Sequence, residues 1–240
     1  MLYLASQSPR RHRLLRRLGR PFHIVRSTHR EHIRRGVRPS ANAIWNATGK
    51  ARKAVLPHGT TGVVIGADTF LYFRRRIIGK PSTMAAARRL LHALSGTSHW
   101  VYTGLCLWEP ATGRMRTSVA KTKVTFKPLT EAAITRLFAR ASPLDKAGGY
   151  ALQADRGELI ARIEGSRSNV VGLPLELLRR ELRHFHLPEV PGHFSFSLGP
   201  TSVVAKTRNV PIHDTTEGSG PQRRAVARRR VTWRHGRTRR

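Results

Sequence analysis

Cysteine is almost missing from this chain. Cys106 is the only one in 240 residues, so no intrachain disulfide is possible. Carboxylates are scarce as well: 13 Asp plus Glu stand against 45 Lys plus Arg, for a formal net charge of +32. Such an imbalance implies an anionic substrate or partner, or an unspecific attraction to nucleic acid, and says nothing about fold. Aromatic residues make up only 7% and no RNA-recognition signature occurs, which argues against base-by-base readout of a nucleic acid. No apolar run is long enough to cross a bilayer, and the N-terminus lacks the apolar stretch of a signal peptide. The 12 histidines show neither an HExxH pattern nor Cys/His pairing, so a zinc site is not expected. A soluble, reducing, cytoplasmic setting with no membrane partner is the expectation.

What is present reads as alternating strands and helices. Leu2–Ala5 reads as a strand, Arg10–Leu18 as a helix stopped at Gly19, and Phe22–Arg26 as a second strand. Pro39–Leu56 is helical, with Ala43, Ala47 and Ala51 at helical spacing. Gly62–Ala67 is a continuous apolar run of the kind buried on both sheet faces, and it is expected to end at Asp68. Phe70–Phe73 and Ile77–Ile78 form a hairpin, and Ser82–Leu94 is a helix capped by Ser82. Ser98–Trp108 and Thr117–Pro128 pair as a hairpin, and Thr130–Arg140 is a helix. Tyr150–Leu152 and Leu159–Glu164 are short strands, and Pro174–Phe185 is a closing helix. The pattern implies an α/β domain over 1–185 with a mixed sheet. Residues 186–240 lose all periodicity, and 223–240 hold nine arginines and no acid. They read as a flexible, disordered basic extension able to make weak, non-specific nucleic-acid contact.

With so few acids, each one counts. Asp68 follows a buried strand, where α/β proteins place ligands, though a strand-end aspartate that caps a turn has the same position. Glu31 sits among His and Arg and reads either as a metal ligand or as an ion-pair partner of Arg30 or Arg34, the pair being favoured. The opening turn, Ser6-Gln7-Ser8-Pro9-Arg10-Arg11, runs from a strand into a helix start. It offers free N–H groups, a hydroxyl on Ser8 and two guanidinium forks suited to phosphate. Lys80, between Gly79 and Pro81, is a fixed point charge for a phosphate. Asp145 and Lys146 precede small residues that permit close backbone approach, and Gln153 on the following strand could read a base edge.

In order along the chain, these pieces resemble the Maf family of nucleoside triphosphate pyrophosphatases. The matching stretches are Leu4-Ala5-Ser6-Gln7-Ser8-Pro9-Arg10-Arg11, Glu31, Lys50-Ala51, Gly66-Ala67-Asp68-Thr69 and Gly79-Lys80-Pro81. They continue through Leu94-Ser95-Gly96, His99, Thr103-Gly104, Asp145-Lys146-Ala147-Gly148, Tyr150, Gln153, Gly165-Ser166 and Val171-Gly172-Leu173-Pro174. The resemblance covers 1–185. It implies an elongated mixed sheet flanked by helices, with two lobes and a central cleft, similar to inosine triphosphate pyrophosphatases. It also implies hydrolysis of a nucleoside triphosphate to the monophosphate and pyrophosphate, dependent on Mg²⁺ or Mn²⁺, as a house-cleaning activity that keeps non-standard nucleotides out of nucleic acids. By that resemblance Asp68 matches the catalytic carboxylate, and Arg10, Thr69 and Gln153 match positions tied to substrate choice. Ser8, Arg11, Glu31, Lys50, Lys80 and Lys146 match polar positions of the cleft, and Glu31, Asp68 and Asp145 are the candidate metal ligands. Gly-Ala-Asp-Thr and Tyr-x-x-Gln look like the branch acting on dTTP and UTP; the branch acting on 7-methyl-GTP differs at these points and is the lesser alternative. A homodimer follows by analogy alone. Leu137 and Ser142 depart from the family, which often has a tyrosine and an acid there. The competing class is a basic nucleic-acid-binding protein with a catalytically weak cleft.

Overall fold

The computed structural model describes residues 1–187. Residues 188–240, and with them nearly all of the expected basic extension, lie outside the described residues. Seven strands form one sheet: β1 (Leu2–Leu4), β2 (Phe22–Ile24), β3 (Val63–Phe73), β4 (Arg76–Ile78), β5 (Ser98–Trp108), β6 (Met115–Phe126) and β7 (Ile160–Glu164). The order is β2-β1-β3-β5-β6-β7, with β4 also on β3. β1 runs parallel to β2 and β3, and every other pairing is antiparallel, so the sheet is mixed as the sequence pattern implies.

Among the described residues six helices flank it: α1 (Pro9–Arg16), α2 (Pro39–Arg52), α3 (Met84–Leu94), α4 (Glu131–Arg140), α5 (Arg167–Val171) and α6 (Leu175–Leu182). Strand alternation sorts them. Val63, Ile65 and Ala67 of β3 face a core built with Leu14 and Leu15 of α1 and with Leu175, Leu178 and Leu182 of α6. Further along the same face, Leu71 and Phe73 join Leu91 and Leu94 of α3 and Ile134 and Leu137 of α4 in a second core. Val64 and Cys106 face the other way, against Ala47 and Ala51 of α2. Burial pushes the Cys106 thiol up to about 12, so it is an inert core residue.

Two glycines let α2 lie close to the sheet. A Cβ on Gly66 would stand 2.1 Å from the Ala47 carbonyl oxygen, and one on Gly104 would stand 2.1 Å from that of Ala43. No side chain fits at either place, and the close approach brings Lys50 of α2 down onto β3.

Several expectations need correction. β3 does not end at Asp68 but continues to Phe73, so Asp68 lies inside the strand, opposite Gly104 of β5. What ends there is the neighbour. β1 stops at Leu4, opposite Ile65, and β4 does not begin pairing until Leu71. β5 occupies the other edge of β3 from Val64 to Tyr72, so among the described residues Gly66–Phe70 has no strand on the β1/β4 side. The helix expected from Ser82 begins at Met84, because Thr83 rather than Ser82 accepts the capping bond from the Ala86 amide. The helix expected over 39–56 stops at Arg52. The residues expected as a strand at Tyr150–Leu152 have no ladder to join, and Leu152–Ala154 forms a 3₁₀ turn. Gln153 therefore stands on a turn, not a strand. The hairpin loop at Arg74 and Arg75 carries both residues at positive φ (46° and 62°), the twist that a two-residue connection demands.

Candidate active site

The gap on β3 is the floor of a cleft of about 420 Å³. Because an open strand edge exposes both faces, Asp68 from the α2 face and Thr69 from the opposite face line one cavity. Ser8, Arg10, Arg11, Glu31, Lys50, Lys80, Asp145, Lys146 and Gln153 line it too, so every residue expected at the site from the sequence borders the same space.

Lys50 organises the floor. Its ammonium donates to Asp68 Oδ1 at 2.8 Å and to the Ala67 carbonyl at 3.2 Å, which the gap leaves without a ladder partner. It also lies 2.5 Å from Glu31 Oε1. Asp68 is only 5% exposed and Lys50 8%, whereas Glu31 reaches in from an exposed loop. Partial burial pushes the Glu31 carboxyl up, but the Lys50 charge and hydrogen bond, with help from Lys80 and Arg11, hold it below its ordinary value. The expected pairing of Glu31 with Arg30 or Arg34 is thus replaced by Lys50.

The loop that carries Glu31 is fastened by two fully buried asparagines of α2. Asn46 accepts from the His32 amide and donates to the His32 carbonyl. Asn42 accepts from the Arg34 amide and donates to the Arg34 and Val37 carbonyls. Sequence reasoning missed both residues. Their signal was present: Asn42, Asn46 and Lys50 recur every fourth residue beside the alanine face of α2, so one helix edge holds the loop and its counter-charge together.

The second wall is the opening turn. Arg11 donates from Nε to the Gly172 carbonyl (2.7 Å), from Nη1 to Ser6 Oγ (3.2 Å) and from Nη2 to Thr69 Oγ1 (2.9 Å). A guanidinium carries about five N–H donors, so some remain for a ligand. Burial lowers its pKa, opposed by the charges of Asp68 and Glu31, which places Arg11 electrostatically beside both carboxylates. Thr69 Oγ1 is also 2.9 Å from Thr103 Oγ1 and 3.3 Å from the Gly172 carbonyl, so its position braces Arg11. Ser8 precedes Pro9 at the start of α1, and its side chain makes no capping bond.

Arg10 reaches across to the third wall. It donates from Nη1 to Asp145 Oδ2 at 2.7 Å and from Nη2 to the Asp145 carbonyl at 3.0 Å. Lys146 meets Asp145 Oδ1 at 2.5 Å and the Ser142 carbonyl at 2.6 Å. Burial raises the Asp145 carboxyl, but the bonds and charges of Lys146 and Arg10 together bring it below its ordinary value. The Gly148 amide donates to the Gly79 carbonyl, tying this loop to the one that bears Lys80.

Of the three acids expected to bind metal, two converge and one does not. Glu31 and Asp68 aim oxygens at a single cation position, now taken by the Lys50 ammonium, while Asp145 is committed to Arg10 and Lys146. No group of three or more His, Cys, Asp or Glu suited to a metal occurs among the described residues. Two carboxylates plus substrate phosphate oxygens and water is nevertheless the usual setting of Mg²⁺, so the donor set fits an ion brought in with a polyphosphate.

Tyr150 borders the cleft and pairs with the buried His99 behind it, Nε2 to Oη at 2.8 Å, both packed on Phe126. Burial lowers His99 to about 4 and raises Tyr150, so both are neutral and structural. No described helix is long and apolar enough to cross a membrane.

The family model described as "Maf-like protein" matches residues 1–185. A dTTP/UTP pyrophosphatase of Moorella thermoacetica is 46% identical over 174 residues, covering 72% of this chain and 89% of that protein. One of Bacillus cereus is 41% identical over 186 residues, covering 78% of this chain and 90% of that protein. One of Bacillus anthracis is 41% identical over 186 residues and is covered to 96%.

Proposed function

Because this chain belongs to the Maf family, we propose that it hydrolyses nucleoside triphosphates, dTTP and UTP foremost, to the monophosphate and pyrophosphate. The observation that carries this reading is the arrangement at the floor of the cleft: a nearly buried aspartate and a glutamate around one cation position, ringed by cationic side chains. A triphosphate carries about four negative charges near neutrality, and groups fixed in place before it binds need no reorganisation to stabilise it. Arg11, Lys50, Lys80 and the start of α1 with Ser8 would grip the phosphate chain. Arg10, Thr69 and Gln153 would set the choice of base, Gln153 through its amide.

Asp68 would take the proton of a water directed at the α-phosphorus. The new bond joins that oxygen to phosphorus, the bond to the bridging oxygen breaks, and pyrophosphate leaves with the bonding electrons. Lys50 holds the Asp68 carboxylate oriented through its hydrogen bond until substrate arrives. Glu31 and Asp68 would hold a divalent cation together with phosphate oxygens, and bound there such an ion supplies charge neutralisation of the leaving pyrophosphate.

Purified protein incubated with dTTP or UTP and Mg²⁺ should release monophosphate and pyrophosphate in equal amounts. Orthophosphate as the first product, or no product across a nucleotide panel, refutes the assignment. Asp68→Asn keeps an acceptor for Lys50 and should stay folded while losing about 10²–10⁴-fold in kcat.

A further inference from the structure

A second cavity, of about 430 Å³, adjoins the cleft. The two share Arg10, Asp145, Lys146 and Gln153 as a partition. Beyond that partition the lining includes Arg13 of α1, Arg140 of α4 and Arg156 of the turn before β7. The charges do not balance. Among the described residues Asp145 is the only carboxylate on the lining, and Arg10 and Lys146 already hold it. Arg140 is engaged by Glu158 at 2.7 Å. Arg13 and Arg156 make no hydrogen bond or ion pair with any other described residue. Two unengaged guanidiniums from distant parts of the chain thus face one hollow the size of the nucleotide cleft. Both are exposed, and an anion held between them would gain forked N–H donors from each.

We propose that this hollow is a subsite for an anionic substituent on the base: a carboxylate or similar group carried by a non-standard pyrimidine nucleotide. The inference rests on the reading above. With the phosphates at Lys50 and Lys80, the base lies toward Gln153, and a group projecting past Gln153 enters the second cavity. The subsite widens the substrate class from plain pyrimidine triphosphates to those whose base bears negative charge, and it selects them by attraction rather than by shape.

The test compares dTTP, 5-carboxy-dUTP and the neutral isostere 5-carbamoyl-dUTP on wild type, on the double variant Arg13→Ala/Arg156→Ala, and on Arg13→Lys/Arg156→Lys. In wild type, kcat/KM for the carboxylated substrate should exceed that for the carbamoyl one by about tenfold. The alanine pair should erase that preference while leaving dTTP turnover within about twofold, and the lysine pair should restore part of it. Equal use of the two analogues by wild type overturns the proposal. A parallel fall for all three substrates does too, since it would mark general attraction of polyanions. Calorimetric binding of 5-carboxy-dUMP against dTMP separates the two readings. If wild type turns over no nucleotide but still favours the carboxylated monophosphate in an Arg13/Arg156-dependent way, the pyrophosphatase reading fails and the subsite stands. If dTTP is cleaved and no such difference appears, the subsite fails alone.

Discussion

Lys50→Met removes the ammonium that Glu31 and Asp68 share. The two carboxylate oxygens lie 2.5 and 2.8 Å from Nζ, so they are within about 5 Å of each other. At an effective dielectric of about 20, two unit charges at that distance repel by about 3 kcal/mol. The Glu31 side chain is 47% exposed, so solvent screening reduces this to about 1–2 kcal/mol. Asp68 is buried, and the loss of its hydrogen-bond partner adds about 1–2 kcal/mol. The variant should thus be less stable by about 2–4 kcal/mol, which for a domain of this size lowers Tm by about 5–15 °C at pH 7.5. The sign of the pH dependence is diagnostic. In wild type the folded pKa of Glu31 is depressed, so its contribution is complete above its unfolded pKa and is lost as pH falls through the folded value. In the variant the repulsion needs both acids ionised, so the deficit relative to wild type should shrink toward pH 4.5. A divalent ion bound by the folded variant at about 100 times its Kd returns about 2.7 kcal/mol. Scanning calorimetry at pH 7.5 and 4.5, with and without Mn²⁺, reads all three effects. A deficit that is equal at both pH values and indifferent to Mn²⁺ would refute the idea of one shared cation position.

Other expectations follow from the same geometry. Gly66→Ala puts a methyl 2.1 Å from the Ala47 carbonyl, so α2 must shift with Lys50; a loss of about 1–3 kcal/mol by urea unfolding together with a sharp fall in kcat is expected, and unchanged kcat would contradict it. His99 is neutral in the fold with a pKa near 4, so stability present above about pH 6.5 is lost as pH drops toward 4. His99→Phe should flatten that acid limb by up to about 3 kcal/mol in unfolding titrations, and an unaltered limb would count against the buried neutral imidazole. Arg10→Ala opens the Arg10–Asp145 closure and should raise KM for dTTP about tenfold with a smaller change in kcat, read by pyrophosphate release. Arg11→Lys replaces a fork that engages Ser6, Thr69 and Gly172 at once with a single point, so kcat/KM should fall despite the conserved charge.

Local pattern carried most of the fold. The run Val63-Val64-Ile65, the alternation of Ser98–Trp108 and the leucine faces of α3 and α6 each report their own burial, because a strand or helix writes its buried face at a fixed period. The misreadings share a cause, which is a partner far away in sequence. Asp68 looks like the end of a strand because a charge interrupts an apolar run, and only Lys50, pressed down by the contacts at Gly66 and Gly104, makes it tolerable inside β3. Tyr150–Leu152 has strand-like residues but no neighbouring edge to bond. The candidate site was legible as a set of residue types in order. Its wiring, with Glu31 on Lys50 and Arg10 on Asp145, depends on how loops cross the sheet and leaves no local trace.

The break in pairing along β3 carries a consequence for self-association. A bare strand edge ordinarily invites a foreign chain to add itself, which is why sheet rims are shortened, charged or covered. Here the bare stretch is Gly66–Phe70, blocked at one end by β1 and at the other by β4, with the Ala67 carbonyl already engaged by an ammonium. An intruding segment would find only a few rungs and nowhere to extend. The protein can therefore keep main-chain groups undressed where chemistry takes place without seeding aggregates, provided both flanking strands keep their present lengths.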